Sequence, residues 1–412
     1  MLAKTRRSFA PVAIALLVCA VFAGCARPEP ILILISLDGF RWDYLDLVET
    51  PHLNRLADEG VRAEGLIPVY PSKTFPSHYS TVTGLYPGHH GIVSNNMYDS
   101  GIDGEFHLHD RAAVQDTRWW GGEPIWVTAE RQGKISACLF WPGSEAEIGG
   151  FRPTHWEPYD GSKPFEVRVD QVLGWLDLPA GERPRMITLY FQDPNDVSHH
   201  YGPEAPETFA SIREVDARIG DLVTGIAERG LADQVNLIMV SDHGMAEIAP
   251  ERFLYLNDFI ELLEGELFED GSIVQIYPRE GREDLIHDSL GAASPHMTVY
   301  RRDEIPERYH LRESSRTPPI LGVPEVGWEV TTRGTEREKE LLELKGDHGQ
   351  DPADPRMHGM FIASGPAFRS GLVIDRFESI EIYNLMTAVL GLEPAPNDGD
   401  PTTLRPILLP TD

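Results

Sequence analysis

The chain has 412 residues, 41% of them hydrophobic, and a formal net charge of -29. The apolar share can fill a large core, and chains of this length include large α/β enzymes built as one unit. The acidic excess repels nucleic-acid backbones and argues against a nucleic-acid polymer as partner, but a small phosphate ester stays open because a bound metal reverses the field locally.

Lys4, Arg6 and Arg7 open the chain, an apolar run from Phe9 to Phe22 follows with Pro11 as its one break, and Ala23-Gly24-Cys25 closes it. A basic start, a short apolar stretch and a small-residue end form the pattern of an export signal, here residues 1–24, too short to serve as a mature membrane span. The Ala-Gly-Cys ending resembles a bacterial lipobox, which would make Cys25 the lipidated first mature residue; Phe22 stands where Leu is usual, and simple cleavage with release is the alternative. The expectation is an exported, periplasmic protein that touches a membrane only through an N-terminal lipid. Cys19 lies in the signal, which leaves Cys138 inside the apolar stretch Ile135 to Trp141. A disulfide and a thiolate metal site are therefore not expected, and Cys138 reads as a buried small hydrophobe.

The main domain is expected over 30–400. Ile31 to Leu37 is a nearly continuous apolar run that ends at Asp38. Met186 to Phe191 leads into Asp193, Asn195, Asp196 and His199, and Val235 to Val240 leads into Ser241-Asp242-His243-Gly244. Runs of this length and hydrophobicity predict buried parallel strands. Between them, Glu207 to Ala227 carries Phe209, Ile212, Val215, Ile219, Leu222 and Ile226 on one helical face. Alternating strands and helices predict an α/β fold, a mostly parallel central sheet with helices on both faces. Ligands of such sheets collect beyond the carboxyl ends of the strands, so three strand ends bearing Asp and His point at one place. From about Pro250 to Leu344 the chain is rich in Glu, Arg and Pro with short apolar runs, which reads as a smaller inserted cap. The Pro-rich tail after Asn397 is expected along the surface.

A two-metal hydrolase needs nitrogen and oxygen ligands for two zinc ions about 4 Å apart, and a hydroxyl nucleophile needs metal or base to lower its pKa. Asp38, Asp242, His243, His348 in Gly346-Asp347-His348-Gly349, and Asp196 with His199 supply such ligands. Thr74 is the candidate hydroxyl: Pro76 suits the first turn of a helix, and a helix N-terminus favours a phosphoryl anion. Lys73 reads as local electrostatic support, and His89, His90 and His358 as structural or ligand-orienting groups. A Walker A loop, HExxH and GxSxG are absent from the sequence.

The segment PSKTFPSHYSTVTGLYPGHHGIVSN, from Pro71 to Asn95, resembles the nucleophile motif of the nucleotide pyrophosphatase/phosphodiesterase family, within the alkaline phosphatase superfamily. LISLDGFRWDYL around Asp38, WPGSEAEI from Trp141, VSDHGM from Val240 and GDHGQDPADPRMHGMFIASGPAF from Gly346 resemble further family segments, in the family's order. The resemblance implies an alkaline phosphatase-like fold and hydrolysis of phosphodiester or pyrophosphate bonds in nucleotides through a covalent Thr74 intermediate. It implies one zinc on Asp38, Thr74, Asp242 and His243, and another on His348, His199 and an acidic partner. Asn95 matches the family asparagine that donates to a phosphoryl oxygen. Phe75 and an aromatic among Trp156 to Tyr159 match positions that sandwich a base, although Trp156 and Tyr159 also suit plain packing.

Two departures stand out. The family spaces Asp and His by three residues before Gly-Pro, whereas here ungapped alignment pairs His199 with Asn195. A one-residue deletion makes Asp196 the ligand, and pairing Asp196 with His200 keeps the spacing; an anionic carboxylate suits zinc better than an amide, which favours Asp196. Ser77 stands where many members have Asn. Rival functions are a choline-phospholipid phosphodiesterase or phosphomonoesterase of the same superfamily, and a non-catalytic ligand-binding lipoprotein.

Overall fold

The structure is a computed structural model that describes residues 29–263, 265–269 and 271–410, so the export signal and Cys25 lie outside the described residues. Its central sheet has eight strands: β1 (Ile31–Leu37), β2 (Val61–Ala63), β3 (Ser136–Leu139), β4 (His155–Trp156), β5 (Met186–Phe191), β6 (Val235–Val240), β7 (Phe361–Ser364) and β8 (Leu372–Ile374). Their order across the sheet is β8-β2-β7-β6-β1-β5-β3-β4, and only β7 runs against the rest. The fold is thus α/β with a mostly parallel sheet, as its three apolar runs predict.

Both faces of the sheet are covered. Along β1, Leu32 and Leu34 join one apolar cluster while Ile31, Ile33, Ile35 and Leu37 join another. The second cluster packs under α1 (Pro51–Glu59), and under the helices labelled in chain order α3 (Phe165–Leu176) and α5 (Pro206–Glu228). The first packs under α2 (Thr74–Thr83) and α6 (Ile382–Leu390), with α4 (Asn195–Tyr201) following β5 at the sheet's end. In α5 the residues Ile212, Val215, Ile219, Leu222 and Ile226 are buried, the face expected from their spacing. Each such side chain stabilises the fold by about 1.5–3 kcal/mol when fully buried. Cys138 in β3 is fully buried, and burial pushes its thiol up to about 12, so it behaves as a hydrophobe.

The 250–344 segment carries a four-stranded antiparallel sheet ordered Leu267–Glu269, Val274–Ile276, Ile320–Pro324, Met297–Arg301. One face of it meets the helix Glu283–Gly291 through Val274, Ile276, Ile286, Leu290 and Ile320. The other face sends Ile273, Leu321 and Val323 into the main core. Alternation along the strand therefore fastens the segment to the sheet domain.

Candidate active site

In register, Ser36 of β1 lies beside Tyr190 of β5 and Val240 of β6. The strands are parallel, so the residues that follow emerge on one edge: Asp38, Asp196 with His199, and Asp242 with His243. His348 arrives from far along the chain because Ala246–Glu247 pairs antiparallel with Gly346–Asp347. His243 and His348 then stack with ring centroids 3.4 Å apart, and His199 lies 5.1 Å from His348.

The hydrogen bonds fix which atom of each histidine is free. Nδ1 of His243, His348 and His199 faces the backbone carbonyl of Gly244 at 2.9 Å, of Ser72 at 2.8 Å and of Gly346 at 2.8 Å. A carbonyl only accepts, so each Nδ1 carries the proton and each Nε2 keeps a lone pair. Nε2 of His243 sits 2.9 Å from Asp242 Oδ2 and 3.4 Å from Asp38 Oδ1, and all three atoms are buried without a hydrogen-bond partner. Three facing lone pairs in a dry pocket repel unless a cation lies among them, so this donor set fits a metal ion.

The electrostatics agree. Burial and the neighbouring Asp242 push the Asp38 carboxyl well above the usual range, and Asp196 adds to the effect. Burial, His243 and His199 hold His348 well below the usual histidine value, so its imidazole is neutral.

Two geometric clusters of potential ligands arise, His199 with Asp347 and His348, and Asp38 with His78 and Asp242. His78 has no lone pair to give: Nε2 faces the Ser36 hydroxyl at 2.8 Å, and Nδ1 faces the Thr74 carbonyl at 2.8 Å with Asp242 Oδ2 3.3 Å away. It braces Asp242. Asp347 Oδ1 accepts the His348 backbone N–H at 2.8 Å and lies 3.8 Å from His199 Nδ1, the protonated side of that ring. Tyr190 is a third brace, its hydroxyl donating to Asp38 Oδ2 at 2.7 Å. The sequence reading did not assign roles to these three; their only signal was position, at a strand end or inside a quoted motif. Asn195 and Asp196 both line the cleft, but Asn195 is buried against Gly39 while Asp196 is exposed. His200 is exposed, its Nδ1 turned to the Asp196 carbonyl at 3.1 Å.

Thr74 is the first residue of α2, with the positive helix end beside it. Phe75 N–H donates to Asn95 Oδ1 at 2.9 Å, which leaves the Asn95 amide N–H groups to aim elsewhere. Thr74, Phe75, Asn95, Tyr159, Asp38, Asp196, His199 and His348 all line one cleft of about 920 Å³. Phe75 packs edge-on to Phe106, and Tyr159 packs on Phe140 and Tyr190. Trp156 does not line the cleft. It sits in the edge strand β4 opposite Cys138, with the Arg152 guanidinium over its ring at 5.1 Å. His90 is structural: burial holds it neutral with a pKa of about 3, its Nδ1 accepts the Ile92 N–H at 3.1 Å, and its Nε2 donates to the Ser80 hydroxyl at 2.8 Å.

Residues 32–351 match the family described as Type I phosphodiesterase / nucleotide pyrophosphatase. The chain is 37% identical over 391 residues to ectonucleotide pyrophosphatase/phosphodiesterase family member 1 of Mus musculus, covering 92% of this chain and 43% of that protein. It is 36% identical over 369 residues to family member 5 of Homo sapiens, covering 89% of this chain and 76% of the relative. It thus spans less than half of the longer relatives. A solved structure of murine ectonucleotide pyrophosphatase / phosphodiesterase 5, an inactive threonine-to-alanine variant in complex with AMP, superposes with a TM-score of 0.87 at 34% identity, covering 92% of this chain and all of that one.

Proposed function

This chain belongs to the type I phosphodiesterase / nucleotide pyrophosphatase family, and from that premise we propose that it hydrolyses phosphodiester or pyrophosphate bonds of nucleotides or related small phosphodiesters through a covalent Thr74 intermediate. The observation that carries this is the placement of Thr74 at a helix N-terminus in the cleft lined by Asp38, Asp196, His199 and His348, with Asp242 and His243 buried beside Asp38. Asp38, Asp242 and His243 with Thr74 would hold one zinc ion, and Asp196, His199 and His348 the other. Asp196 is preferred over Asn195 because it is anionic and exposed in the cleft while Asn195 is buried against Gly39, and His199 over His200 because it neighbours His348. Zinc held there would draw charge from the phosphoryl oxygens and lower the pKa of the Thr74 hydroxyl.

In the first half-reaction a bond forms from Thr74 Oγ to phosphorus as the bond to the leaving oxygen breaks, and that oxygen takes up a proton. Water then attacks phosphorus, the Oγ–P bond breaks, and a monophosphate leaves as Thr74 regains its proton. Asn95, its Oδ1 occupied by Phe75 N–H, donates through Nδ2 to a non-bridging oxygen where charge grows; such a donor is worth about 3 kcal/mol. Phe75 and Tyr159 wall the cleft where a base would stack, and the AMP complex of a relative supports a nucleoside monophosphate there. The 250–344 segment would act as a cap, and the enzyme as an exported one, with lipid on Cys25 as its membrane anchor.

The test compares a nitrophenyl nucleotide diester, a nitrophenyl monoester and a nitrophenyl choline phosphodiester. The diester is expected to be turned over fastest, and Thr74→Ala to lower its kcat by at least about a thousandfold. Near-normal diesterase activity in Thr74→Ala would remove the nucleophile assignment, and faster turnover of the choline ester or monoester would change the substrate class.

A further inference from the structure

Glu269 ends the first strand of the antiparallel sheet in the 250–344 segment, and its carboxylate is buried. Oε1 accepts from Lys73 Nζ at 2.8 Å. Oε2 accepts from Ser94 Oγ at 2.7 Å and from the Gln275 side-chain amide. Lys73 immediately precedes Thr74, and Ser94 immediately precedes Asn95. Gln275 also donates to the carbonyl of Asn96, on the far side of Asn95, at 3.0 Å. One carboxylate from the inserted segment therefore grips both short stretches that handle the phosphoryl group.

Lys73 is buried as well, and a buried ammonium needs an anion close by. The charge pair fixes the backbone before Thr74, while the Ser94 bond fixes the backbone before Asn95. The two stretches are also joined directly by the hydrogen bond from Phe75 N–H to Asn95 Oδ1. Small errors in the spacing of nucleophile and donor are costly: a shift of about 1 Å can lower turnover about a hundredfold.

We propose that Glu269 is a positioning residue for phosphoryl transfer, setting the spacing of Thr74 and Asn95 through Lys73 and Ser94. The inserted segment then serves the catalytic apparatus as well as capping it. The proposal rests on the roles given above to Thr74 and Asn95.

Glu269→Gln tests it in the full chain, with the nitrophenyl nucleotide diester as substrate. A carboxylate accepts from all three donors, whereas an amide must turn its NH2 toward at least one of them. The expected result is a fall in kcat of about tenfold with KM within about twofold, and with zinc content and melting temperature near those of the wild type. In an Asn95→Ala background the same change should lower kcat by less than about twofold, because the group it positions is gone. Lys73→Met and Ser94→Ala each remove one arm and should each lower kcat by a few-fold; they carry the test if Glu269→Gln does not fold. Unchanged kcat in these variants, a change confined to KM, or losses that simply multiply with Asn95→Ala would overturn the proposal. Diester turnover that depends on Thr74 but not on Glu269 would sink this inference alone; no turnover by the wild type would sink both readings.

Discussion

The two oxygens of Asp38 have different surroundings. Oδ2 takes the Tyr190 hydroxyl, and Oδ1 is buried with no hydrogen-bond partner, turned toward His243 Nε2. The tyrosine thus fixes the carboxylate plane so that one lone pair is presented and the other is spent. Tyr190→Phe removes only the hydroxyl and leaves the ring against Tyr159 and His78. Expected are a fall in zinc affinity of about 10- to 100-fold, the usual effect of losing a group that orients a ligand, and a stability change of about 1 kcal/mol. Competition with a chromogenic chelator measures the affinity, and a value equal to the wild type's would show that Asp38 holds its orientation without the tyrosine. The same contrast marks what was legible residue by residue. Asp38, Asp242, His243 and His348 stood out because each follows an apolar run or is flanked by glycine. Tyr190, His78 and Asp347 did not, because bracing a neighbour depends on strand register and on contacts between distant segments, which no local pattern records.

Elements explain the rest. The three strand ends were readable because parallel strands buried on both faces are apolar throughout and stop abruptly at the site. The reversed strand β7, the short ladder that returns His348 and the place of Trp156 at the sheet edge were not, since two- to four-residue strands carry no periodicity. A close approach of two chain segments accounts for Gly244. Gly244 N–H donates to the Met357 carbonyl at 2.8 Å, and a Cβ there would meet the Arg356 oxygen at 2.2 Å and the His358 oxygen at 2.7 Å. The chain before β7 passes too close for any side chain. Gly244→Ala should therefore displace that segment and the His243 that precedes it, costing about 1–3 kcal/mol in urea unfolding and reducing bound zinc. Wild-type stability and zinc content in the alanine variant would mean that the approach is loose.

For the whole molecule, the charge balance makes the site a liability until it is filled. The chain carries a net charge of -29, and it buries Asp38 beside Asp242. Asp38 has its carboxyl raised in the fold, so the folded chain binds that proton more tightly than the unfolded one does. Its contribution is therefore unfavourable at neutral pH and eases as pH falls. A cation reverses that balance. A ligand that binds only the folded state adds about 2.7 kcal/mol per site at a free concentration a hundred times Kd. With unfolding entropy of roughly 0.8 kcal/mol/K for a folded unit of this size, that is about 3 °C in Tm per site. Chelation should lower Tm and added zinc should restore it. Asp38→Asn separates the two effects, because it removes the buried repulsion and a ligand together. In chelator its Tm should exceed that of the chelated wild type, and in zinc it should gain less than the wild type does. Differential scanning calorimetry reads both. A variant that melts below the wild type in chelator, yet responds to zinc in full, would mean that Asp38 neither repels Asp242 nor holds the ion.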